Sequence, residues 1–306
     1  MKKATKITLV IALCCLVLGI GLYAAAVALT GQFSYSADIF DTTDSIIETK
    51  LVLEDFRSIL IEDVECDLRL LPAEDGNVTV VYTDNNLYHH DLRVTDETLI
   101  ITVKDVSTFW DHIFMVSTGK QEVTVYLPFS GLDRVSLDTV SGDVEIPEGL
   151  AIRTLSAGST SGDISLTCAV SEQLTAETVS GNIRLNGISP ETMTLSSTSG
   201  NVTLEDSCPV ELFVDTVSGE ILLSEVTAEE FTDLSSTSGG IHLNDADSAA
   251  LSASTVSGDI TGTVPSVKHF RTDTTSGSVY VSESHSDAPV WELSTVSGNI
   301  HITVAP

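Results

Sequence analysis

Positive charge is scarce in this chain of 306 residues, which has 14 lysine and arginine residues against 44 aspartate and glutamate residues. The formal net charge is −30, and three of the few cations, Lys2, Lys3 and Lys6, precede the first hydrophobic segment. A surface with this balance repels nucleic acid and anionic lipid headgroups, so no nucleic-acid partner is predicted. Cationic partners stay open, namely basic peptides, metal ions or positively charged wall polymers. The simpler explanation is that the charge keeps an exposed protein soluble.

Cysteine is also rare, with five residues and no Cys-x-x-Cys pair. This pattern excludes a densely disulfide-bonded secreted domain and gives no support to a zinc or redox motif. Cys14 and Cys15 fall in a hydrophobic segment, which leaves Cys66, Cys168 and Cys208 outside it. The sequence leaves open whether Cys168 and Cys208 pair.

Signatures of common catalytic sites are missing. Residues 158–162 have Thr160 where a Gly-x-Ser-x-Gly motif needs its nucleophilic serine, and there is no glycine-rich phosphate-binding loop. The cations that could hold an acidic polysaccharide are few and dispersed after residue 130: Arg134, Arg153, Arg184, Lys268 and Arg271. We therefore expect no enzymatic activity and predict no catalytic, cofactor-binding or metal-binding residue.

Histidine and carboxylate residues are adjacent at two places, His89-His90-Asp91 and Asp111-His112. Neighbouring residues of a strand point to opposite faces, so His89 and His90 would not chelate one ion together. The sequence favours a solvated loop over a metal site at His89 and His90.

The dipeptide Ser-Gly, in contrast, is frequent and regularly spaced in the second half of the chain. Nine of its glycines follow one another at intervals of 19–21 residues. A fixed period of this length is typical of a repeat array, in which each unit buries its apolar face by stacking on its neighbours. We predict that these glycines are structural turn residues: Gly142, Gly162, Gly181, Gly200, Gly219, Gly239, Gly258, Gly277 and Gly298.

Each repeat has the pattern of two short strands on either side of a turn. Apolar and polar residues alternate before and after the glycine, which predicts strands with one buried face. Glycine accepts a positive φ without strain, and the Asp or Asn that often follows it can hydrogen-bond to nearby backbone. A β-branched aliphatic residue stands two positions after all nine glycines, from Val144 to Ile300, and predicts a continuous buried ladder.

The residue two positions before the glycine alternates between valine and threonine from one repeat to the next. Two interpretations follow. Either each repeat makes one turn of a solenoid, which we favour because about 20 residues can close a coil of short strands, or two repeats make one wide turn. Cys168 and Cys208 lie adjacent only in the wide coil, where a disulfide needs Cα atoms within about 7 Å.

The N-terminal segment from Ile7 to Leu29 contains no charged residue and exceeds the roughly 20 residues needed to cross a bilayer. Basic residues precede it, which places residues 1–6 in the cytoplasm and the bulk of the chain outside. We predict a retained single-pass transmembrane helix over residues 7–29; a cleaved signal peptide is the alternative, since Ala24-Ala25-Ala26 resembles a cleavage site. Residues 30–45 are polar and are interpreted as a linker.

The remaining chain divides into a cap and the array. Residues 46–130 contain short alternating runs without the strict period and are predicted to be a β-rich N-terminal cap that includes degenerate first rungs. Residues 131–306 are predicted to form a parallel β-solenoid of nine repeats, in an all-β fold. Because the chain stops eight residues after Gly298, we expect the last repeat to be the uncapped end or a docking edge.

The order of these features resembles a known family. An N-terminal anchor, an irregular β segment, Val-Tyr-Leu-Pro at 125–128 and Thr-Val-Ser-Gly-Asp-Val-Glu-Ile at 139–146 are similar to the bacterial putative-adhesin family. The resemblance implies a membrane-anchored, extracytoplasmic β-solenoid that acts as a non-catalytic interaction module, with a protein, cationic peptide or wall polymer as ligand. The alternative is a cell-envelope stress component that binds cationic peptides or a membrane signalling partner through its acidic surface.

Overall fold

The computed structural model describes residues 45–51, 56–73, 76–84, 88–105, 121–128 and 131–305. These residues form strands and turns, with no helix among them. Accordingly, the described part of the chain contains no helix with the length and hydropathy of a membrane span. The predicted tail 1–6, transmembrane helix 7–29 and linker 30–45 lie outside the described residues, except for Ser45 at the start of the first strand.

Twenty-five strands follow one another in the described residues. They are β1 (Ser45–Leu51), β2 (Ser58–Glu62), β3 (Asp67–Pro72), β4 (Val78–Asp84), β5 (Tyr88–Thr95), β6 (Thr98–Asp105), β7 (Glu122–Leu127), β8 (Gly131–Thr139), β9 (Val144–Ile146), β10 (Ala151–Ser159), β11 (Ile164–Leu166), β12 (Ala169–Thr178), β13 (Ile183–Asn186), β14 (Thr192–Ser197), β15 (Val202–Glu205), β16 (Glu211–Thr216), β17 (Ile221–Ser224), β18 (Thr227–Ser236), β19 (Ile241–Asn244), β20 (Asp247–Thr255), β21 (Ile260–Val264), β22 (His269–Thr274), β23 (Val279–Val281), β24 (Val290–Thr295) and β25 (Ile300–Val304).

The strands stack into two sheets that face each other across one core. From β8 onward, each repeat contributes a strand to a 12-stranded sheet, turns at its Ser-Gly, and contributes a shorter strand to a 13-stranded sheet. Consecutive repeats pair in parallel and in register, as Ile164 pairs with Ile183 and Ile183 with Val202. One repeat therefore makes one turn, which confirms the narrow coil of the parallel β-solenoid.

The core is a stack of inward-facing aliphatic side chains. The aliphatic residue two positions after the repeat glycine is buried in eight of the nine repeats, from Val144 through Ile260 to Ile300. Val279 is the exception, with 45 % of its surface exposed. The predicted ladder is therefore wrong at Val279, because this repeat forms the outermost rung.

The order of the rungs departs from chain order at the C-terminal end. β24 pairs with both β20 and β22, and β25 pairs with both β21 and β23, so the last repeat lies inside the stack. The expectation that the last repeat forms the uncapped end is wrong. The physical reason is burial: β24–β25 carries the fully buried Trp291, Leu293 and Ile302, whereas β23 in the outermost rung is largely exposed.

The N-terminal end shows a similar exchange of order. β2 lies between β6 and β8, and β3 lies between β7 and β9, all in parallel pairs. The outermost parallel strands at this end are β6 and β7, and antiparallel strands cover both: β5 pairs with β6, β4 pairs with β7, and β1 pairs with β4. Residues 58–72 thus form a further parallel rung, and the antiparallel strands form the irregular cap.

The three cysteines of the described residues are free. Cys66 and Cys168 are buried and Cys208 is exposed. Because one repeat makes one turn, the rung that contains β13 lies between Cys168 and Cys208. The structure therefore contains no disulfide between them.

Candidate functional site

The nine repeat glycines lie at the edge of the column, where each rung turns from the 12-stranded to the 13-stranded sheet. A Cβ atom built on any of them would lie 1.6–2.0 Å from the glycine carbonyl oxygen of the neighbouring rung, or from that of Cys66 in the case of Gly142. Positive φ angles occur instead at Gly76, Gly149 and Gly187. The glycines thus lie in turns where close packing of neighbouring backbones, not a positive φ, requires a residue without a side chain.

A serine or threonine three positions before each glycine completes the turn, and its side chain is buried in eight of the nine repeats. Ser159, for example, donates its hydroxyl to the carbonyl of Gly142 at 3.0 Å and accepts the N–H of Gly162 at 2.9 Å. The same arrangement recurs with Thr178 and Thr255. These hydroxyls bind backbone on both sides, which satisfies the polar groups that the buried turn would otherwise leave unpaired.

The Asp and Asn residues after the glycine form a second hydrogen-bonded row. The side-chain oxygen of Asp163 accepts the backbone N–H of Asn182 at 2.7 Å, and that of Asn182 accepts the N–H of Asn201 at 3.1 Å. Asp259 and Asn299 act in the same way. An amide or a carboxylate serves equally as acceptor, so hydrogen bonding explains why both residue types occur, as the sequence indicates.

The residues two positions before the glycines form an exposed row along the same edge, which we call the turn row. Its valines are 44–47 % exposed, and the threonines of the other repeats are also exposed. Its members are Val140, Thr160, Val179, Thr198, Val217, Thr237, Val256, Val296 and Thr275 in spatial order. At about 4.8 Å per rung, nine rungs extend roughly 38 Å. The turn row is a narrow surface with a regular repeat of methyl and hydroxyl groups.

Acidic residues are stacked at the second turn of three consecutive rungs, where the strands of the 13-stranded sheet end. Asp206, Glu225 and Asp245 occupy equivalent positions, all exposed and all left-handed, with φ of 48–55°. A hydrogen bond with Asp206 and the charge of that residue raise the pKa of Glu225, and the charge of Asp245 adds to the effect. The stack is a surface of concentrated negative charge.

A buried polar cluster occurs where the cap meets the first rung. His90 on β5 has a fully buried side chain, with Nε2 2.8 Å from Asp63 Oδ2 and Nδ1 2.7 Å from Asp84 Oδ1. Cys66 Sγ lies 3.8 Å from the same Nε2 and 3.9 Å from Gln121 Oε1. We call Asp63, Cys66, Asp84 and His90 the cap cluster.

The prediction of a solvated loop at His89 and His90 is wrong, because both residues lie on β5 and His90 is enclosed by the cap. His89 differs from His90 in being largely exposed, with Nδ1 3.2 Å from Asp84 Oδ2. Asp111 and His112 lie outside the described residues.

Sequence reasoning missed Asp63, Cys66 and Asp84, although the repeat contains a signal for the first two. Residues 63–68, Asp-Val-Glu-Cys-Asp-Leu, align with Thr-Val-Ser-Gly-Asp-Val at 139–144. Asp63 thus replaces the buried hydroxyl, and Cys66 replaces the glycine. Asp63 Oδ1 accepts the N–H groups of Val64, Glu65 and Cys66 at 2.6–3.0 Å, which leaves Oδ2 to face His90.

The environment shifts the pKa values of the cap cluster strongly. Burial opposes the charge of Asp63, but hydrogen bonds from His90 and from the Cys66 N–H outweigh it and lower its pKa to about 2. Burial likewise opposes protonation of His90, yet Asp63 and Asp84 raise its pKa above the ordinary value. Burial, followed by the charge of Asp63, raises the pKa of the Cys66 thiol. An isolated nucleophilic thiolate is therefore disfavoured here.

Comparison with known proteins gives a family and several solved structures. A family model described as Toastrack DUF4097 matches residues 56–303. No curated protein matches the chain.

Among solved structures, a putative lipid binding protein from Parabacteroides distasonis ATCC 8503 is similar, with a TM-score of 0.58 and 17 % identity over 86 % of this chain and 98 % of that one. A putative adhesin from the same organism gives a TM-score of 0.54 and 15 % identity over 86 % and 99 % of the two chains. A putative adhesin from Parabacteroides merdae ATCC 43184 gives a TM-score of 0.52 and 16 % identity over 87 % of this chain and 98 % of that one. At these identities the likeness concerns the fold.

Proposed function

The chain belongs to the Toastrack DUF4097 family, and from that premise we propose that it is a membrane-tethered, extracytoplasmic interaction module without catalytic activity. Its contact surface is the turn row. The observation that carries the proposal is that one exposed edge presents a β-branched side chain, either valine or threonine, at each of the nine repeats, although these side chains do not pack in the core. Such a surface matches an extended ligand with its own repeat, of which a wall polymer is the best example.

The chemistry of the described residues supports a non-catalytic role. The repeated serines and threonines that are buried bind backbone groups on both sides, so none is held beside a general base. The buried thiols of Cys66 and Cys168 have raised pKa values, that of Cys168 reaching about 12 through burial. The adhesin names of two Parabacteroides proteins with this fold agree with a role in surface contact.

Tethering is supported by the sequence of residues 7–29, and both parts of the proposal can be tested on one set of cells. Intact cells that express the full chain are allowed to bind a surface coated with isolated cell-wall sacculi. We expect Val179→Lys with Val217→Lys to reduce the bound fraction at least about fivefold, because two ammonium groups interrupt the centre of the turn row.

The control pair is Gln173→Lys with Thr227→Lys, which adds the same charge at exposed positions outside the turn row. An impermeant maleimide provides the second control, since it should label the exposed Cys208 on intact cells and lose this label in Cys208→Ser. Equal loss of binding in the two double variants would contradict the turn row as contact surface. Labelling only after lysis would contradict the extracytoplasmic location.

The second proposed function is an envelope-stress component that captures cationic peptides or contacts a membrane signalling partner. It is supported by the stack of Asp206, Glu225 and Asp245, where neighbouring carboxylates already raise the pKa of Glu225. Capture by charge should weaken steeply between low salt and 0.15 M, where the screening length falls to about 8 Å. Binding of a polylysine peptide that is insensitive to salt would contradict it.

A further inference from the structure

We propose that the cap cluster is a binding site for one divalent transition-metal ion, and that zinc is its best chemical match. The ligands are Asp63 Oδ2, Cys66 Sγ and His90 Nε2, which all lie within 4.8 Å of one another. One oxygen, one sulfur and one nitrogen ligand form the mixed set that borderline-soft zinc accepts, whereas calcium and magnesium require oxygen ligands.

Two of the three ligand–ligand distances lie within about 0.5 Å of those of a tetrahedral site, and the third, between Asp63 Oδ2 and Cys66 Sγ, is at most 4.8 Å. Ligand atoms bound at 2.0–2.3 Å to tetrahedral zinc lie about 3.3–3.6 Å from one another. Cys66 Sγ is 3.8 Å from His90 Nε2, and Asp63 Oδ2 is 2.8 Å from the same nitrogen. The ion would therefore draw the thiolate slightly inward and separate Asp63 from His90 by about 0.5 Å, which rotation of the side chains can provide.

The surrounding groups orient the ligands. Asp84 Oδ1 lies 2.7 Å from His90 Nδ1, so this carboxylate holds the proton on Nδ1 and presents Nε2 to Asp63 and Cys66. A carboxylate behind the ligating imidazole is a common arrangement in zinc proteins. Asp63 is fixed by the three backbone N–H groups on Oδ1 and by its burial. Two of the three ligands are thus already held in position before the ion binds.

The position of Cys66 separates this proposal from a plain buried ion pair. The cap could be held by His90 between Asp63 and Asp84 alone, and that arrangement needs no sulfur. Yet cysteine replaces the repeat glycine in the rung of β2 and β3, and its sulfur lies 3.8 Å from His90 Nε2 and 3.9 Å from Gln121 Oε1. Gln121 Oε1 or a water molecule would complete four-coordination. On binding, the protons of the Cys66 thiol and of His90 Nε2 leave to solvent.

A metal ion here would also join two parts of the structure. Asp63 and Cys66 come from the turn between β2 and β3 in the first parallel rung along the chain, and His90 comes from edge strand β5 of the cap. The ion would fix β5 to that rung, so metal binding should stabilise the cap against local opening.

The experiment measures Zn²⁺ binding to the purified full chain in detergent micelles, with Co²⁺ as spectroscopic probe. We expect one Zn²⁺ per chain and a thiolate-to-cobalt charge-transfer band in the near ultraviolet. Cys66→Ser should abolish the band and weaken Zn²⁺ binding at least about 100-fold. Asp84→Asn should retain the band and weaken Zn²⁺ binding about 10- to 100-fold, because it removes only the group that orients His90.

The matched controls are Cys208→Ser and His89→Gln, which change the exposed cysteine and the exposed neighbouring histidine. Both should bind Zn²⁺ like the unchanged chain. Melting with a chelator present checks folding, and added Zn²⁺ should raise the Tm of the unchanged chain but not of Cys66→Ser. No stoichiometric binding, binding insensitive to Cys66→Ser, or a cobalt spectrum without a thiolate band would each overturn the proposal.

Discussion

At the scale of single residues, two positions of each repeat turn, the glycine and the hydroxyl residue three positions before it, accept few residue types. The glycine position admits no side chain because the carbonyl of the neighbouring rung occupies the place of a Cβ atom. The hydroxyl position requires a group that both donates and accepts, and all nine repeats have serine or threonine there. Among the rungs whose turns the structure describes, the rung of β2 and β3 departs from both rules, with Asp63 and Cys66, and there the extra groups face His90. The departure therefore marks the proposed metal site.

Replacement of Gly200 by alanine tests the close-packing explanation. A Cβ atom at this position would lie 1.6 Å from the carbonyl oxygen of Gly181, so two rungs would have to separate. We expect Gly200→Ala to lower the free energy of unfolding by at least about 3 kcal/mol in urea titrations. The control is Gly187→Ala, which has a φ of 70° but no atom within 4 Å of the added Cβ.

Gly187→Ala should lower the free energy of unfolding by only about 1 kcal/mol, since it introduces left-handed strain without a steric clash. If the two substitutions lower the free energy of unfolding equally, or if Gly187→Ala lowers it more, then backbone conformation rather than close packing would explain the regular period of glycines in this chain.

At the scale of strands and turns, the period in the sequence predicted more than the composition did. Alternation around each Ser-Gly predicted the strands, the β-branched residues predicted the core ladder, and the parallel register followed from the period. The cap cluster could not be found this way, because Asp63, Asp84 and His90 are brought together by the antiparallel pairing of β4 with β7 and of β5 with β6, which no period encodes. Only the alignment of residues 63–68 with the repeat signalled part of it.

The left-handed acidic stack gives a prediction for this scale. Asp206 has a φ of 48° where the previous rung has Gly187 with a φ of 70°. Asp206→Gly should raise the free energy of unfolding by about 0.5–1 kcal/mol, because it relieves backbone strain and removes a charge beside Glu225. Asp206→Asn removes only the charge, since asparagine also tolerates this conformation.

Urea titrations at low and high salt separate the two causes. The gain from Asp206→Asn should shrink as salt screens the carboxylates, whereas the additional gain from Asp206→Gly should persist. If neither variant is more stable than the unchanged chain, the stack is neither strained nor repulsive in solution.

At the scale of the whole molecule, the order of the rungs departs from chain order at both ends of the column. At the C-terminal end, β22 and β23 form the outermost rung, and the later strands β24 and β25 lie between that rung and β20–β21. The buried Trp291 on β24 therefore lies between Leu251 on one side and Phe270 on the other. Lys268 is buried beside it, pairs with Asp247 and lies over the indole ring. The C-terminal strands are therefore part of the core and not a free edge, which removes the basis for a docking edge at the last repeat.

This order can be tested through Trp291. Its indole N–H donates to the Ser248 carbonyl at 3.0 Å and its ring meets Phe270 edge to face at 6.0 Å. Trp291→Ala should lower the free energy of unfolding by about 3–5 kcal/mol. Because stability in a stacked array depends on neighbouring rungs, hydrogen exchange should rise in β22–β23 as well as in β24–β25, while β8 to β17 keep their protection.

Phe270→Ala, in the outermost rung, should raise exchange in β22–β23 and leave β24–β25 protected. If Phe270→Ala exposed β24–β25 while Trp291→Ala left β22–β23 protected, the rungs would be stacked in chain order, with the last repeat outermost.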